Sequence, residues 1–286
     1  MVKQLWLITG ASSGFGAVLA ETVLKRGHQV IATARNPTKA RVAYPQIEAQ
    51  CGKWITLDVT SPNTTAEVYK AIKELGNGKI DVVVNNAGYS LVGSIEDMNE
   101  QEIHQQMDTN AYGPVRVIKA ALPYMRSQKS GVIVNITSIA GLDGRPACAM
   151  YAASKFALEA ISESLSRELA SFNIRLLLVE PGAFRTNFFG AYQLPAKEMT
   201  PDYKGTILDQ TLTAFHNLHE KQQGDPAKAA NRIFDFVNGT GTGLGKTGLL
   251  RLQLGPDCWE RANNKTLSLR ENLEQTKEVA FSTDFD

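Results

Sequence analysis

The chain has 286 residues, of which 43% are hydrophobic and 21% charged, an ordinary composition for a globular protein. Its formal net charge of +1 comes from scattered acidic and basic residues, which gives no basic surface for nucleic acid and no polybasic segment for an anionic membrane. The cysteines Cys51, Cys148 and Cys258 lie far apart and no apolar run suits a signal peptide or membrane span, so we expect packing residues in a cytoplasmic protein.

Short β-branched, apolar runs alternate with longer segments of helical periodicity, which predicts βαβ units. The predicted strands are Leu5–Thr9, Gln29–Ala34, Trp54–Val59, Ile80–Val84, Gly131–Thr137, Ile174–Val179 and Leu249–Leu254. The predicted helices are Ala17–Arg26, Thr65–Leu75, Gln101–Met125, Ala147–Phe172 and Pro226–Val237. Several strands are apolar at consecutive positions, which is typical of a parallel central sheet covered by helices on both faces.

The periodic pattern weakens from Asn187 to about Gly224, where Pro195 and Pro201 occur among glycines and polar residues. We interpret this segment as a substrate lid. It begins a C-terminal extension, residues 187–286, on a core of residues 1–186, and we expect the whole chain to form a single domain.

A glycine-rich turn joins the first predicted strand to the first predicted helix. Its candidate cofactor-binding residues are Gly10, Ser12, Ser13, Gly14, Phe15 and Gly16. Glycines let the backbone approach a pyrophosphate, and the N–H groups at the start of a helix attract the anion. Taken alone, this spacing also fits a plain strand-to-helix turn.

The end of the second predicted strand bears on the choice of nicotinamide cofactor. An acidic residue there would bind the ribose 2′-hydroxyl of NAD, but Thr33 and Ala34 are followed by Arg35. A guanidinium accepts a 2′-phosphate in a bidentate manner, which favours NADP(H), although Arg35 would also suit a solvated strand end.

Three residues predict proton transfer to or from a carbonyl or alcohol oxygen. Tyr151 and Lys155 lie four residues apart on one helix face, so we expect the ammonium to lower the pKa of the phenol. Ser138 follows a strand at its carboxyl end, where its hydroxyl can stabilise a developing oxyanion. Each residue alone would also suit packing, solvation or capping; together with the glycine turn they predict a dehydrogenase site.

In this combination the sequence resembles the short-chain dehydrogenase/reductase family, from Leu5 to about Thr186. The motifs occur in order: Thr9–Gly16, Asp58, Asn85–Gly88, Asn110, Ser138, Tyr151 with Lys155, and Pro181-Gly182 followed by Thr186. The resemblance implies a Rossmann-type, doubly wound parallel sheet of about seven strands. Within the family, Thr33–Asn36 and the segment from Leu249 to Gly255 are most similar to the branch of 17β-hydroxysteroid and retinol dehydrogenases.

The resemblance also implies roles for individual residues. Those implied to line the cofactor are Asp58, Val59, Asn86, Ala87, Gly88, Pro181 and Gly182. Asn110 is implied to anchor a water that passes protons to Lys155 and Tyr151, and Lys155 also to hold the nicotinamide ribose. Thr186 is implied to contact the nicotinamide carboxamide. Relatives of this type form homodimers or homotetramers through the helices that carry Asn110 and Tyr151.

Two further patterns are interpreted without function. Gly241–Thr247 resembles a nucleotide-binding loop, but Thr240 occupies the position of its first glycine and the preceding residues are helical in pattern. His216 and His219 have no third ligand at suitable spacing, so no metal site is predicted.

The expected substrate is a small, apolar ketone or secondary alcohol. Its predicted surroundings are the loop Gly141–Ala147 and the segment containing Phe184, Asn187, Phe188 and Phe189. Three functions stay open: an NADPH-dependent carbonyl reductase, an NADP-dependent dehydrogenase of steroid- or retinol-like alcohols, and a cofactor-binding protein with a repurposed, non-redox activity.

Overall fold

The computed structural model describes residues 2–218 and 220–285; the side chain of Phe189 lies outside that description. In these residues the strands are β1 (Leu5–Ile8), β2 (Gln29–Ala34), β3 (Lys53–Thr56), β4 (Val82–Asn85), β5 (Gly131–Ile136), β6 (Ile174–Pro181) and β7 (Arg251–Leu254). The helices are α1 (Gly14–Lys25), α2 (Pro37–Ala43), α3 (Pro45–Ala49), α4 (Thr64–Leu75), α5 (Glu100–Met107), α6 (Gly113–Gln128), α7 (Ala149–Glu168), α8 (Ile207–Leu218), α9 (Pro226–Asn238) and α10 (Pro256–Phe281).

Within the described residues the strands form one seven-stranded, wholly parallel sheet in the order β3-β2-β1-β4-β5-β6-β7. The chain winds outward from β1 to β3 and then returns to place β4 on the other side of β1. This reversal of strand order opens a crevice at the carboxyl ends of the strands, where open α/β sheets bind ligands. The fold is therefore the predicted doubly wound, Rossmann-type arrangement.

Two apolar cores cover the two faces of the sheet. On one face Trp6 of β1 is fully buried and stacks on Phe234 of α9, with ring centroids 5.9 Å apart. On the other face Ile72 of α4 and Val117 of α6 pack in the core with Val83 of β4. The two cores fix the sheet, so the loops at its carboxyl edge project from a rigid base.

Local capping fixes several helix starts near that edge. Asn99 and Glu102 form a reciprocal capping box that starts α5. The carboxylate of Asp225 accepts from the N–H groups of Ala227 and Lys228 at the start of α9.

The predicted helix Gln101–Met125 differs in the structure. A π-helical turn, Asp108–Tyr112, separates α5 from α6 and contains Asn110. The extra residue of such a turn rotates the side chains that follow, and turns of this kind occur frequently at functional sites. The apolar periodicity continues through the turn, so one long helix was predicted where there are two.

The lid segment holds more regular structure than its composition indicates. The 12-residue helix α8 lies within the stretch predicted as irregular. Among the cysteines, Cys148 and Cys258 are buried as expected, but the prediction that Cys51 is a packing residue is wrong, because it is exposed in a tight turn with φ +66°. No helix in residues 2–218 and 220–285 is both long and apolar enough to cross a membrane.

Candidate active site

A cavity of about 490 Å³ opens at the carboxyl edge of the sheet, where strand order reverses. The glycine turn after β1 and the loops after β4, β5 and β6 form its walls, and the lid closes one side. All of these segments come from the ends of adjacent parallel strands, so the sheet itself brings them together.

Hydrogen bonds with the loop after β4 hold the glycine turn in place. The hydroxyl of Thr9 accepts from the backbone N–H groups of Asn86 at 2.9 Å and Ala87 at 3.0 Å. The amide of Asn86 donates to the carbonyl oxygens of Thr9 at 2.9 Å and Gly10 at 3.1 Å. Gly10 has φ +63°, and a Cβ there would lie 2.8 Å from the Cα of Ala87. A closely packed backbone cradle of this kind, ending at the start of α1, fits a pyrophosphate.

Arg35 and Asp58 lie at the far end of the same cavity. Burial would raise the pKa of Asp58, but hydrogen bonds from the N–H and hydroxyl of Thr60, aided by the charge of Arg35, lower it on balance. The Arg35 side chain is exposed and adjoins the end of β2. A cation at this end fits the 2′-phosphate of a dinucleotide.

Ser138, Tyr151 and Lys155 meet in the middle of the cavity. Tyr151 and Lys155 lie one turn apart on α7 and are 9% and 5% exposed. The Lys155 amine donates to the carbonyl oxygen of Ile136 at 2.9 Å and lies 5.9 Å from the centre of the Tyr151 ring. Ser138 lies two residues after the end of β5, and its hydroxyl oxygen accepts from the N–H of Ala140 at 3.1 Å.

The protonation of this pair differs from the sequence-based expectation. Burial raises the pKa of Tyr151 to about 12, and a hydrogen bond with the Ser138 hydroxyl opposes the rise. Burial also lowers the pKa of Lys155 to about 8, which the charge of Glu159 opposes. The predicted lowering of the Tyr151 pKa is not seen: burial raises this pKa, and Lys155 is not among the groups that change it.

Asn110 does not line the cavity, but its side chain forms hydrogen bonds with two segments that do. Its amide nitrogen donates to the carbonyl oxygen of Tyr89 at 2.9 Å and to the hydroxyl of Ser154 at 3.0 Å. Its amide oxygen accepts from the N–H of Tyr89 at 3.1 Å. Ser154 donates in turn to the carbonyl oxygen of Tyr151 at 2.7 Å. The π-helical turn thus ties the loop after β4 to the helix that carries Tyr151.

Of the residues singled out from the sequence, nearly all line the one cavity. They are Gly10, Ser12, Ser13, Gly14, Phe15, Arg35, Asp58, Val59, Asn86, Ala87, Gly88, Ser138, Tyr151, Lys155, Pro181, Gly182 and Thr186. Gly16 and Asn110 do not line the cavity. Gly16 lies in the first turn of α1 and packs against the backbone of the glycine turn. A Cβ at this position would lie 2.6 Å from the carbonyl oxygen of Gly10.

Sequence reasoning missed Asp257 and Arg261, which reach the cavity from α10. The Asp257 carboxylate accepts from the N–H of Ala183 at 2.8 Å and so holds the turn after β6. Arg261 pairs with Asp143 in the loop after Ser138 at 2.7 Å. Gly255-Pro256-Asp257 is a helix-start signal, but nothing local in the sequence places that helix beside the cavity.

The lid contributes Phe188 from the segment after Thr186 and Phe215 and Leu218 from α8. Phe188 lies 5.8 Å from Tyr151 between ring centroids. His216 is on α8, whereas His219 lies outside the described residues, so the prediction about this histidine pair stays a prediction.

Solved structures with the same architecture include a short-chain dehydrogenase from Streptomyces avermitilis, 37% identical, with a TM-score of 0.87 over 99% of this chain and 100% of the other. A metagenomic short-chain oxidoreductase in complex with NADP is 25% identical, with a TM-score of 0.66 over 88% of this chain and 96% of that one. A short chain dehydrogenase/reductase from Burkholderia phymatum in complex with NAD is 21% identical, with a TM-score of 0.76 over 94% and 95% of the two chains. Solved structures of this fold therefore include complexes with NADP and with NAD.

Among related sequences, oxidoreductase claN of Passalora fulva is 49% identical over 212 residues, which span 74% of this chain and 95% of the relative. Retinol dehydrogenase 8 of Homo sapiens is 40% identical over 219 residues, 74% of this chain and 68% of the relative, in agreement with the branch indicated by the sequence. The family model described as short chain dehydrogenase matches residues 4–195. The chain therefore belongs to the short-chain dehydrogenase family and is an oxidoreductase.

Proposed function

We propose that the protein is an NADPH-dependent carbonyl reductase that acts on apolar ketones. One observation carries the proposal: Ser138, Tyr151 and Lys155 meet in a cavity that continues without interruption to the glycine cradle and Arg35. A bound nicotinamide dinucleotide would supply the hydride. The side chains of this chain would position the carbonyl, stabilise its oxygen and deliver the proton.

Tyr151 is the proposed proton donor to the substrate oxygen. Burial keeps its pKa near 12, so the phenol carries its proton at neutral pH, which is the state that reduction of a carbonyl requires. The hydroxyl of Ser138 would donate to the same oxygen and stabilise the negative charge that develops there. Both groups lie on rigid parts of the fold, at the end of β5 and the start of α7.

Lys155 is the proposed link between the nucleotide ribose and Tyr151, and its amine is already oriented by the carbonyl oxygen of Ile136. Asn110, held between Tyr89 and Ser154, would anchor a water on the path by which Lys155 and Tyr151 recover their protons. In these roles the two residues keep Tyr151 ready for another turnover.

The preference for NADPH is supported by the charge at the end of β2. The exposed Arg35 lines the cavity at that point, and Thr33 and Ala34 before it offer no carboxylate for a free ribose hydroxyl. A guanidinium would pair with the 2′-phosphate of NADPH. Because cells keep this cofactor largely reduced, the preference favours reduction over oxidation.

The lid supports an apolar substrate. Phe188, Phe215 and Leu218 line the cavity together with Val92 from the loop after β4, and the Phe188 ring lies 5.8 Å from that of Tyr151. Apolar and aromatic walls with a few polar groups are typical of sites for small organic molecules.

A second candidate function is the oxidation of steroid- or retinol-like alcohols with NADP. The named activity of the relative retinol dehydrogenase 8 favours it, and the same residues would then act in reverse, with Tyr151 as the base. The raised pKa of Tyr151 opposes this direction, because it disfavours the phenolate that would act as the base. A cofactor-binding protein without redox activity would have no use for the Ser138 hydroxyl and the Tyr151 phenol meeting in the cavity.

The test is to mix the purified protein with NADPH or NADH and a panel of apolar ketones, and to follow nicotinamide absorbance. We expect turnover with NADPH; turnover of alcohols with NADP alone would favour the second candidate. Saturable cofactor binding without turnover in either direction would refute both.

We also propose that residues 1–286 act as one domain in a cytoplasmic homodimer or homotetramer. The continuous sheet from β3 to β7, which joins the first and last thirds of the chain, supports the single domain. The exposed residues Tyr112 and Phe156, beside Asn110 and on α7, support pairing of copies through these helices. Light scattering of the purified protein measures the number of copies, and a monomer would refute the assembly.

A further inference from the structure

A buried ion cluster lies directly behind Lys155 and has no step in the proposed reaction. Glu159 follows Lys155 by one turn of α7 and is 4% exposed. Arg251 of β7 donates from Nε to Oε2 of Glu159 at 3.1 Å. The same guanidinium contacts Glu180 of β6 at 3.1 Å and Glu163 of α7 at 2.5 Å. Salt bridges to Arg251 therefore connect helix α7 with strands β6 and β7.

The cluster holds an excess of carboxylate. Arg251 is the cation among three glutamates, of which Glu159 and Glu180 are buried and Glu163 is half exposed. Burying charged groups is costly, and a buried ion pair is seldom kept for stability alone. Burial raises the pKa of both Glu159 and Glu180, and hydrogen bonds and charge from Arg251 oppose the rise. When these carboxylates are ionised, they carry more negative charge than Arg251 neutralises, and the next cation along α7 is Lys155.

Lys155 has little other stabilisation for a positive charge. Its amine donates to the neutral carbonyl of Ile136, and the other groups near it, the phenol of Tyr151 and the amide of Asn110, carry no charge at neutral pH. Burial lowers the pKa of Lys155 to about 8, and the charge of Glu159 opposes that change. Glu159, one turn along α7, is thus the charged group that opposes the effect of burial on the Lys155 amine.

We propose that Glu159 is a positioning residue for Lys155: its carboxylate, fixed by Arg251, holds the Lys155 amine in its protonated form inside the site. The consequence for the enzyme rests on the proposed function, since it needs Lys155 to take part in proton transfer. Arg251 and Glu180 act through Glu159 and touch neither substrate nor cofactor. The C-terminal strand β7 then supports the site indirectly, although it is far from Lys155 in sequence.

The first test compares Glu159→Gln with Glu163→Gln in the pH profile of ketone reduction. Both variants remove one carboxylate bonded to Arg251 and keep the shape of the side chain, but Glu159 lies one turn of α7 from Lys155 and Glu163 two turns. Loss of an opposite charge at that spacing should move the alkaline limb of the profile down by about one pH unit. The matched Glu163→Gln should leave the limb in place, and equal shifts in both variants, or in neither, would overturn the proposal.

The second test reads Lys155 without catalysis. Only a neutral amine reacts with acetic anhydride, and Lys155 lines the cavity, so its acetylation can be followed by peptide mass spectrometry as pH rises. We expect the midpoint for Lys155 to fall by about one unit in Glu159→Gln and to stay constant in Glu163→Gln. A shift in the midpoint without any turnover would retain the inference and refute the proposed function. Turnover with an unshifted midpoint would refute the inference and retain the proposed function.

A third variant separates charge from packing. Glu159→Asp keeps the carboxylate but shortens the side chain, so its acetylation midpoint should stay above that of Glu159→Gln; equal midpoints in the two variants would refute the proposal. If Glu159→Gln does not fold, as judged by circular dichroism, Arg251→Gln replaces it. Arg251 lowers the pKa of Glu159, so its loss favours the neutral acid and should lower the Lys155 midpoint, and a rise or no change would refute the proposal.

Discussion

The buried carboxyl of Glu180 gives a stability prediction whose sign depends on pH. Its side chain is fully buried; burial and the nearby charge of Glu159 raise its pKa from 4.5 to about 7, against the opposing effects of Gln253 and Arg251. Between these two values the folded protein binds a proton that the unfolded chain releases. Stability contributed by this group is therefore greatest below pH 4.5 and declines as pH rises to about 7.

The variant Glu180→Gln keeps the shape and removes the titration. Gln253 donates to Glu180 at 2.7 Å, and a glutamine carbonyl oxygen accepts that hydrogen bond equally well. Arg251 keeps Glu159 and Glu163 as partners. A difference of about 2.5 pKa units corresponds to about 3 kcal/mol, so the variant should be more stable than the parent by that amount at pH 8 and by about 1 kcal/mol at pH 5.

Urea unfolding followed by tryptophan fluorescence measures this difference, because Trp6 and Trp54 are buried in the folded protein. The matched control is Glu163→Gln, whose carboxylate is 45% exposed and bonds the same arginine. It should change the free energy of unfolding by less than about 1 kcal/mol at either pH. A Glu180→Gln effect that is independent of pH, or destabilising at pH 8, would refute the reasoning.

Further outcomes follow from the proposed site. Tyr151→Phe should lower turnover by at least about 10²-fold and leave NADPH binding, measured by cofactor fluorescence, nearly intact; retained turnover would remove Tyr151 as the proton donor. Arg35→Asp should weaken NADPH binding by about 10-fold or more and favour NADH, because a charged hydrogen-bonding partner is replaced by a repelling one; an unchanged preference would exclude Arg35 from that role. Gly10→Ala should abolish cofactor binding, since its Cβ would meet Ala87, whereas Gly27→Ala, with φ +84° and open space around it, should share the backbone strain of about 1–2 kcal/mol but bind cofactor normally.

The strand-to-helix alternation and the contiguous motifs could be predicted because both depend on local sequence. The run from Leu5 to Gly16 contains the strand, the turn and the start of α1 in one stretch, and the structure places them in that order. Tyr151 and Lys155 share a helix face by spacing alone. For these segments the local signal was sufficient; the continuous periodicity over Gln101–Met125 was not, because it passes through the π-helical turn.

The remaining differences come from contacts that local sequence does not contain. The π-helical turn at Asn110 is stabilised by side-chain bonds to Tyr89 and Ser154, which come from distant segments. The pKa of Tyr151 was predicted from its neighbour Lys155, but it depends more on how deeply the folded chain buries the ring. Helix α8 was not predicted, because the prolines and glycines around it weaken the helical pattern of the segment.

The cluster around Arg251 shows the same limit and explains why the C-terminal part of the chain matters. Glu159 and Arg251 are 92 residues apart, and they meet only because β7 adds to the sheet beside β6. In sequence, Glu159 is an ordinary charged position on an amphipathic helix and Arg251 one of two polar residues in a short strand. Helix α7 places Glu159 one turn from Lys155, and β7 supplies the guanidinium that bonds its buried carboxylate. The final strand therefore completes the sheet and, with it, the electrostatic environment of the proposed proton donor.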